Sequence, residues 1–200
     1  DAEITVECNP SSVDESLVRE LSEAKVNRIS MGMQSAVDKE RLALGRTSDR
    51  EKIRYCITLF KNYGIDNISL DLMLGIPHQT KESLKESIDF VNEMNVKHVS
   101  AYMLKIEEGT AFQQIKDKLP LPDEDEVCDI YLYACDELEK KGYLQYEISN
   151  FSKKSFESRH NLKYWRCEEY LGIGPSAHSF VDGKRFFFER NFESFLTGTP

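Results

Sequence analysis

The chain has 200 residues, of which 40% are hydrophobic, and its formal net charge at pH 7 is −9. This length fits one large domain or one and a half small ones, and the acidic balance argues against non-specific binding to nucleic acid or to an anionic membrane. No apolar run reaches the roughly 18 residues of a membrane span, so none is expected. The five cysteines are widely spaced and form no C-x-x-C pair, which fits reduced thiols in a cytosolic protein.

Strand and helix patterns alternate four times through the first half of the chain. Each strand pattern is followed by a helical apolar stripe, and Gly64 stands where a helix C-cap is usual. Capping boxes at 12–15 and 48–51 open two of the helices, and Thr80 is the expected N-cap of another. This alternation predicts a parallel sheet with helices outside it. The predicted strands are 3–8, 28–33, 68–74 and 98–104, and helices are predicted at 12–24, 37–44, 48–63 and 80–95.

The pattern changes after Gly109, and Leu-Pro-Leu-Pro at 119–122 indicates a boundary. We expect residues 1–120 to form one part of the fold and residues 121–200 to form an α+β extension of it. Beyond the boundary the sequence predicts a helix from 123 to about 141, a strand at 143–151, an irregular polar stretch at 152–169, a hairpin turning at Asp182–Gly183 and a short helix at 191–196.

A carboxylate interrupts the most apolar of the predicted strands. Residues 68–74 form a near-continuous apolar run, as expected of a strand buried on both faces of a parallel sheet, yet the run contains Asp71. A buried charge is costly unless it has a partner, so the position of Asp71 indicates a specific role.

Four polar residues lie at or after the carboxyl ends of predicted strands, which is where α/β folds bind their ligands. Carboxylates accept hydrogen bonds from ribose hydroxyls or an ammonium group, and an arginine binds a carboxylate bidentately, so a zwitterionic ligand that carries a ribose fits this set. The alternative is a structural ion pair of Arg46 with Glu7 or with Asp71, which spacing alone does not exclude. The four residues are Glu7, Gln34, Arg46 and Asp71.

Five collinear motifs resemble the radical S-adenosylmethionine (radical-SAM) proteins related to oxygen-independent coproporphyrinogen III oxidase, and the resemblance covers essentially the whole chain. The segment 146–151 and the His-Asn-x-x-Tyr-Trp motif at 160–165 resemble the haem chaperone (HemW-type) branch, and the run at 171–179 fits that branch too. The five motifs are EITVECNP at 3–10, RISMGMQS at 28–35, LGRT at 44–47, ISLDLMLGIP at 68–77 and VSAY at 99–102.

The resemblance implies an α/β fold, a partial (β/α)6 radical-SAM barrel, of which this chain supplies strands three to six. It implies that S-adenosylmethionine is bound by the four polar residues at the strand ends, with Tyr102 beside the adenosine. The family holds a [4Fe–4S] cluster on a C-x3-C-x2-C motif, which this sequence lacks. We therefore expect a piece of a longer protein that carries the cluster cysteines elsewhere, and a piece that is inactive alone.

Within the later motif, His160 is a candidate ligand of haem iron, with Tyr164 and Trp165 packing on the porphyrin face. The alternative is a hydrogen-bonded histidine in an aromatic cluster. His178 has a similar but weaker claim, whereas His98, at the start of a strand, is expected to be structural.

Three functions are compatible with the sequence. The first is a haem-handling protein that binds haem and delivers it to an acceptor protein, with S-adenosylmethionine and the cluster in a regulatory or redox role. The second is the oxidative decarboxylation of coproporphyrinogen III in porphyrin biosynthesis, and the motif at 160–165 favours the first over it. The third is an ordinary barrel enzyme whose phosphate-bearing substrate would sit on the Gly-rich loop at 171–176. We expect a cytoplasmic protein, no nucleic-acid partner, and membrane contact that is at most peripheral, through an acceptor.

Overall fold

A computed structural model describes residues 2–198 of the chain. Short 3-10 turns at Pro10–Ser12 and Lys116–Lys118 accompany the regular elements. The strands are β1 (Thr5–Cys8), β2 (Arg28–Gln34), β3 (Ile68–Leu74), β4 (His98–Met103), β5 (Leu144–Gln145), β6 (Asn150–Ser152), β7 (His178–Val181) and β8 (Lys184–Phe187). The helices are α1 (Glu15–Glu23), α2 (Asp38–Ala43), α3 (Arg50–Asn62), α4 (Lys81–Glu93), α5 (Ala111–Ile115), α6 (Glu124–Lys140), α7 (Arg159–Trp165) and α8 (Phe192–Thr197).

The first four strands form a parallel sheet in the order β1-β2-β3-β4, which confirms the predicted α/β architecture. The single strand predicted at 143–151 is wrong, because the chain reverses there into two short strands. The second of these, β6, pairs antiparallel with β4 and extends the main sheet, and β5 pairs with β6 at the edge. Side chains of the reversal are thereby brought to the β4 edge of the sheet.

Helices α1, α3 and α4 each begin after a residue whose side chain accepts a hydrogen bond from a free backbone N–H of the first turn. Helix α1 begins after Asp14, and α3 begins after Asp49; each carboxylate accepts a hydrogen bond from a backbone N–H three residues on. The predicted caps Ser12 and Ser48 are therefore wrong by one or two residues. Thr80 caps α4 as predicted, within a reciprocal capping box.

The hydrophobic core lies between one face of the main sheet and its helices. The stripes predicted on α3 and α4 are buried as expected, and the central strands contribute side chains with no exposed surface. Each such side chain contributes roughly 1.5–3 kcal/mol by leaving water. The stripe residues are Ile53, Ile57, Phe60, Leu84, Ile88 and Val91, and the strand residues include Ile29, Met31, Ile68, Leu70, Leu72, Val99 and Ala101.

The described residues divide into two compact units, one up to Glu157 and one from Ser158 onward. In the second unit, α7 occupies part of the stretch that the sequence predicted to be irregular. The hairpin of β7 and β8 turns at Asp182 and Gly183 as predicted, and both residues have the positive φ angles of a type I′ turn. The boundary predicted at residue 120 stays a prediction. Among residues 2–198 no helix is long and apolar enough to cross a membrane.

Candidate functional site

One face of the main sheet is apolar and the other is polar. Neighbouring residues in register share a face, so Glu7 and Ser30 lie on the same side, as do Asp71 and Ser100. Helices cover the apolar side, which leaves the polar side as the surface on which a site can form. The side chains on the polar face are those of Thr5, Glu7, Arg28, Ser30, Ser69, Asp71, His98, Ser100 and Tyr102.

Asp71 accepts its hydrogen bonds from serine hydroxyls of the two neighbouring strands. Ser30 Oγ donates to Asp71 Oδ1 at 3.2 Å, and Ser100 contributes a second hydrogen bond. Burial raises the pKa of Asp71 above its ordinary value, since these hydroxyls and the more distant Arg28 offset only part of the desolvation. Glu7, on the same face two strands away, raises that pKa further.

Gln34 and Tyr102 meet above Asp71, at the carboxyl ends of their strands. The Tyr102 hydroxyl donates to Gln34 Oε1 at 3.0 Å. Gln34 has a φ of +68°, next to a β-bulge, and its side chain folds back over Gly32. A Cβ on Gly32 would lie 2.8 Å from Gln34 Nε2, so a glycine there gives the amide its room.

Arg46 lies in the loop after α2, beside a cavity of about 90 Å³ that is also lined by Asn9 and Gly32. Its charge lowers the pKa of the Tyr102 phenol, whereas burial and Asp71 raise that pKa more strongly. Among residues 2–198, neither Glu7 nor Asp71 makes an ion pair with Arg46. A structural ion pair therefore does not explain the presence of these charged residues. The structure therefore brings together all five residues predicted to bind S-adenosylmethionine: Glu7, Gln34, Arg46, Asp71 and Tyr102.

A second row of polar residues lies toward the amino ends of the strands. Both ring nitrogens of His98 are hydrogen-bonded, Nδ1 to Ser69 Oγ and Nε2 to the Tyr146 hydroxyl, each at 2.7 Å. Burial and the neighbouring Arg28 lower the pKa of His98 to about 3, so the imidazole is neutral at pH 7. A structural role for His98 is what the sequence predicts, but the row as a whole is not among the sequence predictions. The alternation of polar and apolar residues along β2, β3 and β4 is the signal that would have revealed it.

In the second unit, the three residues predicted to contact haem lie on α7. His160 Nε2 is hydrogen-bonded to the Tyr164 hydroxyl at 2.9 Å, and the Tyr164 ring packs edge-on against Tyr170 at 4.5 Å between centroids. Trp165 is 59% exposed. This arrangement is compatible with both alternatives for His160, namely a ligand of haem iron and a hydrogen-bonded histidine in an aromatic cluster. Within the described part of the chain, no three metal-binding side chains group closely enough to hold a metal ion.

The Gly-rich loop at 171–176 does not follow a parallel strand. It lies between the isolated β-bridge of Tyr170 with Phe180 and strand β7, and the backbone N–H of Gly172 donates to Ser179 Oγ at 2.9 Å. A phosphate loop of a barrel is expected after a late parallel strand. The third hypothesis, an ordinary barrel enzyme with a phosphate-bearing substrate, therefore lacks its structural basis here.

Comparison with known proteins agrees with this geometry. Residues 1–91 match the Radical SAM superfamily. The fold superposes on the solved coproporphyrinogen III oxidase HemN of Escherichia coli with a TM-score of 0.83; the match covers 100% of this chain and 50% of that one, at 21% identity, and it shows the fold alone. Residues 1–91 therefore belong to a radical SAM domain.

Within that superfamily, the similarity extends to a particular group of proteins. The chain is 38% identical, over 92% of its length, to the "Heme chaperone HemW" of Lactococcus lactis and 37% identical, over 92%, to the protein of the same name from Escherichia coli. It spans about half the length of these curated relatives, since 49% of each is covered.

Proposed function

We propose that the full-length protein containing this chain binds haem and delivers it to an acceptor protein, with S-adenosylmethionine and a [4Fe–4S] cluster in a regulatory or redox role. The observation that carries the proposal is the 38% identity to a protein named as a haem chaperone. Because the match includes 92% of the chain, it extends beyond the superfamily segment and across α7 with its His-Asn-x-x-Tyr-Trp motif. The solved coproporphyrinogen III oxidase shares only the fold, which gives the decarboxylase alternative weaker support.

Our proposed S-adenosylmethionine site lies on the polar face of the sheet, at the carboxyl ends of the strands. The hydrogen-bond donors and acceptors there fit that ligand. Asp71 and Glu7 would accept hydrogen bonds from ribose hydroxyls or the ammonium group, and Arg46 would bind the carboxylate. Gln34 would add an amide, already oriented by the Tyr102 hydroxyl. When bound to a cluster, S-adenosylmethionine supplies a 5′-deoxyadenosyl radical in this superfamily; the residues here would bind and orient it.

The described residues do not fit a [4Fe–4S] cluster. They offer no group of three candidate ligands, and the cysteines of the first unit, Cys8, Cys56, Cys128 and Cys135, are free thiols of varied burial. Burial raises the pKa of Cys8, Cys56 and Cys135, which favours the protonated thiol over the thiolate that iron requires. We therefore assign the cluster to another part of the full-length protein and no reaction step to this chain.

The S-adenosylmethionine site is tested by calorimetric titration of the full-length protein. Asp71→Ala and Arg46→Ala each remove a charged hydrogen-bonding group, so each should weaken binding by about 1–3 kcal/mol. Lys85→Ala is the control, because Lys85 forms only a surface ion pair with Asp89. If both site variants titrate like the unaltered protein, the site assignment is wrong.

Haem handling is tested on the same protein by absorbance titration and by transfer to an apo-haemoprotein. We expect saturable haem binding and a transfer that is faster from the loaded protein than from free haem. Anaerobic incubation with coproporphyrinogen III tests the alternative. Turnover to protoporphyrinogen IX without haem binding would reject the proposal in favour of the decarboxylase.

A further inference from the structure

The small sheet of the second unit presents one mixed aromatic and cationic face. Tyr170 pairs with Phe180 through two backbone hydrogen bonds of 2.9 and 2.8 Å, and Phe180 pairs in turn with Arg185 across the hairpin. Residues opposite one another in an antiparallel pair share a face, and so does His178, two residues before Phe180. Tyr170, His178, Phe180 and Arg185 therefore project from the same side of a hydrogen-bonded scaffold.

This face lines an open cavity of about 540 Å³. Tyr164 of α7 closes part of its wall, with its ring against Tyr170, and Cys167 follows the end of that helix. The volume lies within the roughly 300–1,000 Å³ typical of small-molecule sites, which are mostly apolar with a few placed polar groups. Three aromatic rings, one guanidinium and one imidazole suit a flat aromatic ligand that carries both carboxylates and a metal ion.

We propose that this cavity is the haem site, with His178 as a ligand of the iron and Arg185 as the partner of a propionate. The inference rests on the proposed function and specifies where and how haem binds. A ring nitrogen of His178 would donate its electron pair to the iron and displace a solvent ligand. Arg185 would bind the carboxylate through its planar fork of N–H groups.

His178 is better placed for this than the other candidate ligands of the unit. The Nε2 atom of His160 is already hydrogen-bonded to Tyr164, and that pairing orients an aromatic wall of the cavity. His178 instead stands on a paired strand, with its ring 5.1 Å from the Phe187 ring, and it lines the cavity directly. Cys167 also lines it, but a thiol must lose its proton before it binds iron, whereas a neutral imidazole does not.

The charge balance of the cavity favours a carboxylate-bearing ligand. Glu168 is the only carboxylate among the residues lining it in the described structure. That carboxylate lies 3.5 Å from Lys163 and 3.7 Å from Arg166, which offset its charge. Arg185 has no ion-pair partner within 4.0 Å among residues 2–198, so its guanidinium can pair with a ligand.

The test uses the full-length protein and two ligands, ferric haem and iron-free protoporphyrin IX, each titrated by absorbance. We expect His178→Ala to shift the Soret band of bound haem and to raise its Kd at least about tenfold, while the Kd for the iron-free porphyrin changes little. Added imidazole should restore the haem spectrum of His178→Ala. Arg185→Gln should raise both Kd values about five- to tenfold, because both ligands carry propionates.

The comparison variants His160→Ala and Cys167→Ser test the other two candidate ligands of the unit, and His178→Gln is a second substitution if His178→Ala fails to fold. Retention of the Soret band in both comparison variants supports the assignment. Loss of the band in His160→Ala or Cys167→Ser, with an unchanged spectrum in the His178 variants, would overturn it while leaving haem binding intact. If the unaltered protein binds no haem, the proposed function fails first, and the site with it.

Discussion

Arg41 is a buried arginine that connects the end of strand β2, which carries Gln34, to the loop that carries Arg46. Its side chain is 2% exposed. The guanidinium donates from Nη1 to the Ser35 carbonyl at 2.6 Å and from Nε to the Ser48 carbonyl at 3.0 Å, and its Nη2 pairs with Asp38. The Arg41 carbonyl accepts the backbone N–H of Arg46 at 2.9 Å. One side chain therefore connects the residue after Gln34 to the loop that follows α2.

Arg41→Met keeps most of the side-chain volume and removes these hydrogen bonds. The carbonyl groups of Ser35 and Ser48 each lose a hydrogen-bond donor, which destabilises the fold by about 1–3 kcal/mol per carbonyl. Removal of the buried guanidinium charge offsets part of this loss. We expect the free energy of unfolding to fall by about 2–4 kcal/mol. Because Arg41 no longer holds the end of β2 and the loop after α2 in place, S-adenosylmethionine affinity should fall by about tenfold, or about 1.4 kcal/mol.

Urea denaturation and calorimetric titration of the same full-length variant measure the two effects. Arg54→Met is the matched control, since the ion pairs of Arg54 with Glu51 and Glu93 are screened by solvent and their loss should cost much less. If Arg41→Met is destabilised no more than Arg54→Met, or binds S-adenosylmethionine as tightly as the unaltered protein, the positioning role of Arg41 is refuted.

Two further predictions concern the pH dependence of stability. The pKa of Asp71 is raised on folding, so stability is lost as the pH rises from the ordinary carboxylate pKa through the raised one; Asp71→Asn should make the ligand-free protein more stable at pH 7 but not at pH 3, and equal urea midpoints at pH 7 would contradict this. The pKa of His98 falls on folding from 6.5 to about 3, so its contribution to stability is complete above pH 6.5 and is lost as the pH falls toward 3. His98→Gln should therefore remove a slope of about 1.4 kcal/mol per pH unit from unfolding free energies measured between pH 6 and 4.5, and an unchanged slope would refute the assignment.

The elements that the sequence predicted well are those fixed by local chemistry. Apolar periodicity located β1 to β4 and the buried stripes of α3 and α4, and the Asp182–Gly183 turn located the hairpin. Helix α7 was missed because its polar sequence has no buried apolar stripe, and its packing of Tyr164 against Tyr170 is not visible in the sequence. The reversal between β5 and β6 likewise depends on pairing with β4, which is distant in sequence.

The candidate site was predictable in its residue types but not in its contacts. Polar residues at strand ends, together with the family resemblance, were enough to select Glu7, Gln34, Arg46, Asp71 and Tyr102. Their partners follow from register, which the sequence does not specify: Ser30 and Asp71 are 41 residues apart, and Gln34 and Tyr102 are 68 apart. Strand β3 is largely buried, as its apolar run predicts, but Ser69 and Asp71 make the face toward the site polar.

The surroundings of Asp71 separate a binding role from a structural one. A carboxylate kept for an ion pair has a lowered pKa and stabilises the fold at neutral pH, whereas burial raises the pKa of Asp71. An asparagine would pair with the Ser30 and Ser100 hydroxyls through one accepting oxygen and one donating NH2 group, without burying a charge. The negative charge is therefore useful only with a partner that the chain itself does not provide, such as the hydroxyl or ammonium groups of the proposed ligand. Asp71→Asn should accordingly make the empty protein more stable and the ligand weaker, and a variant that lost stability at pH 7 would contradict this argument.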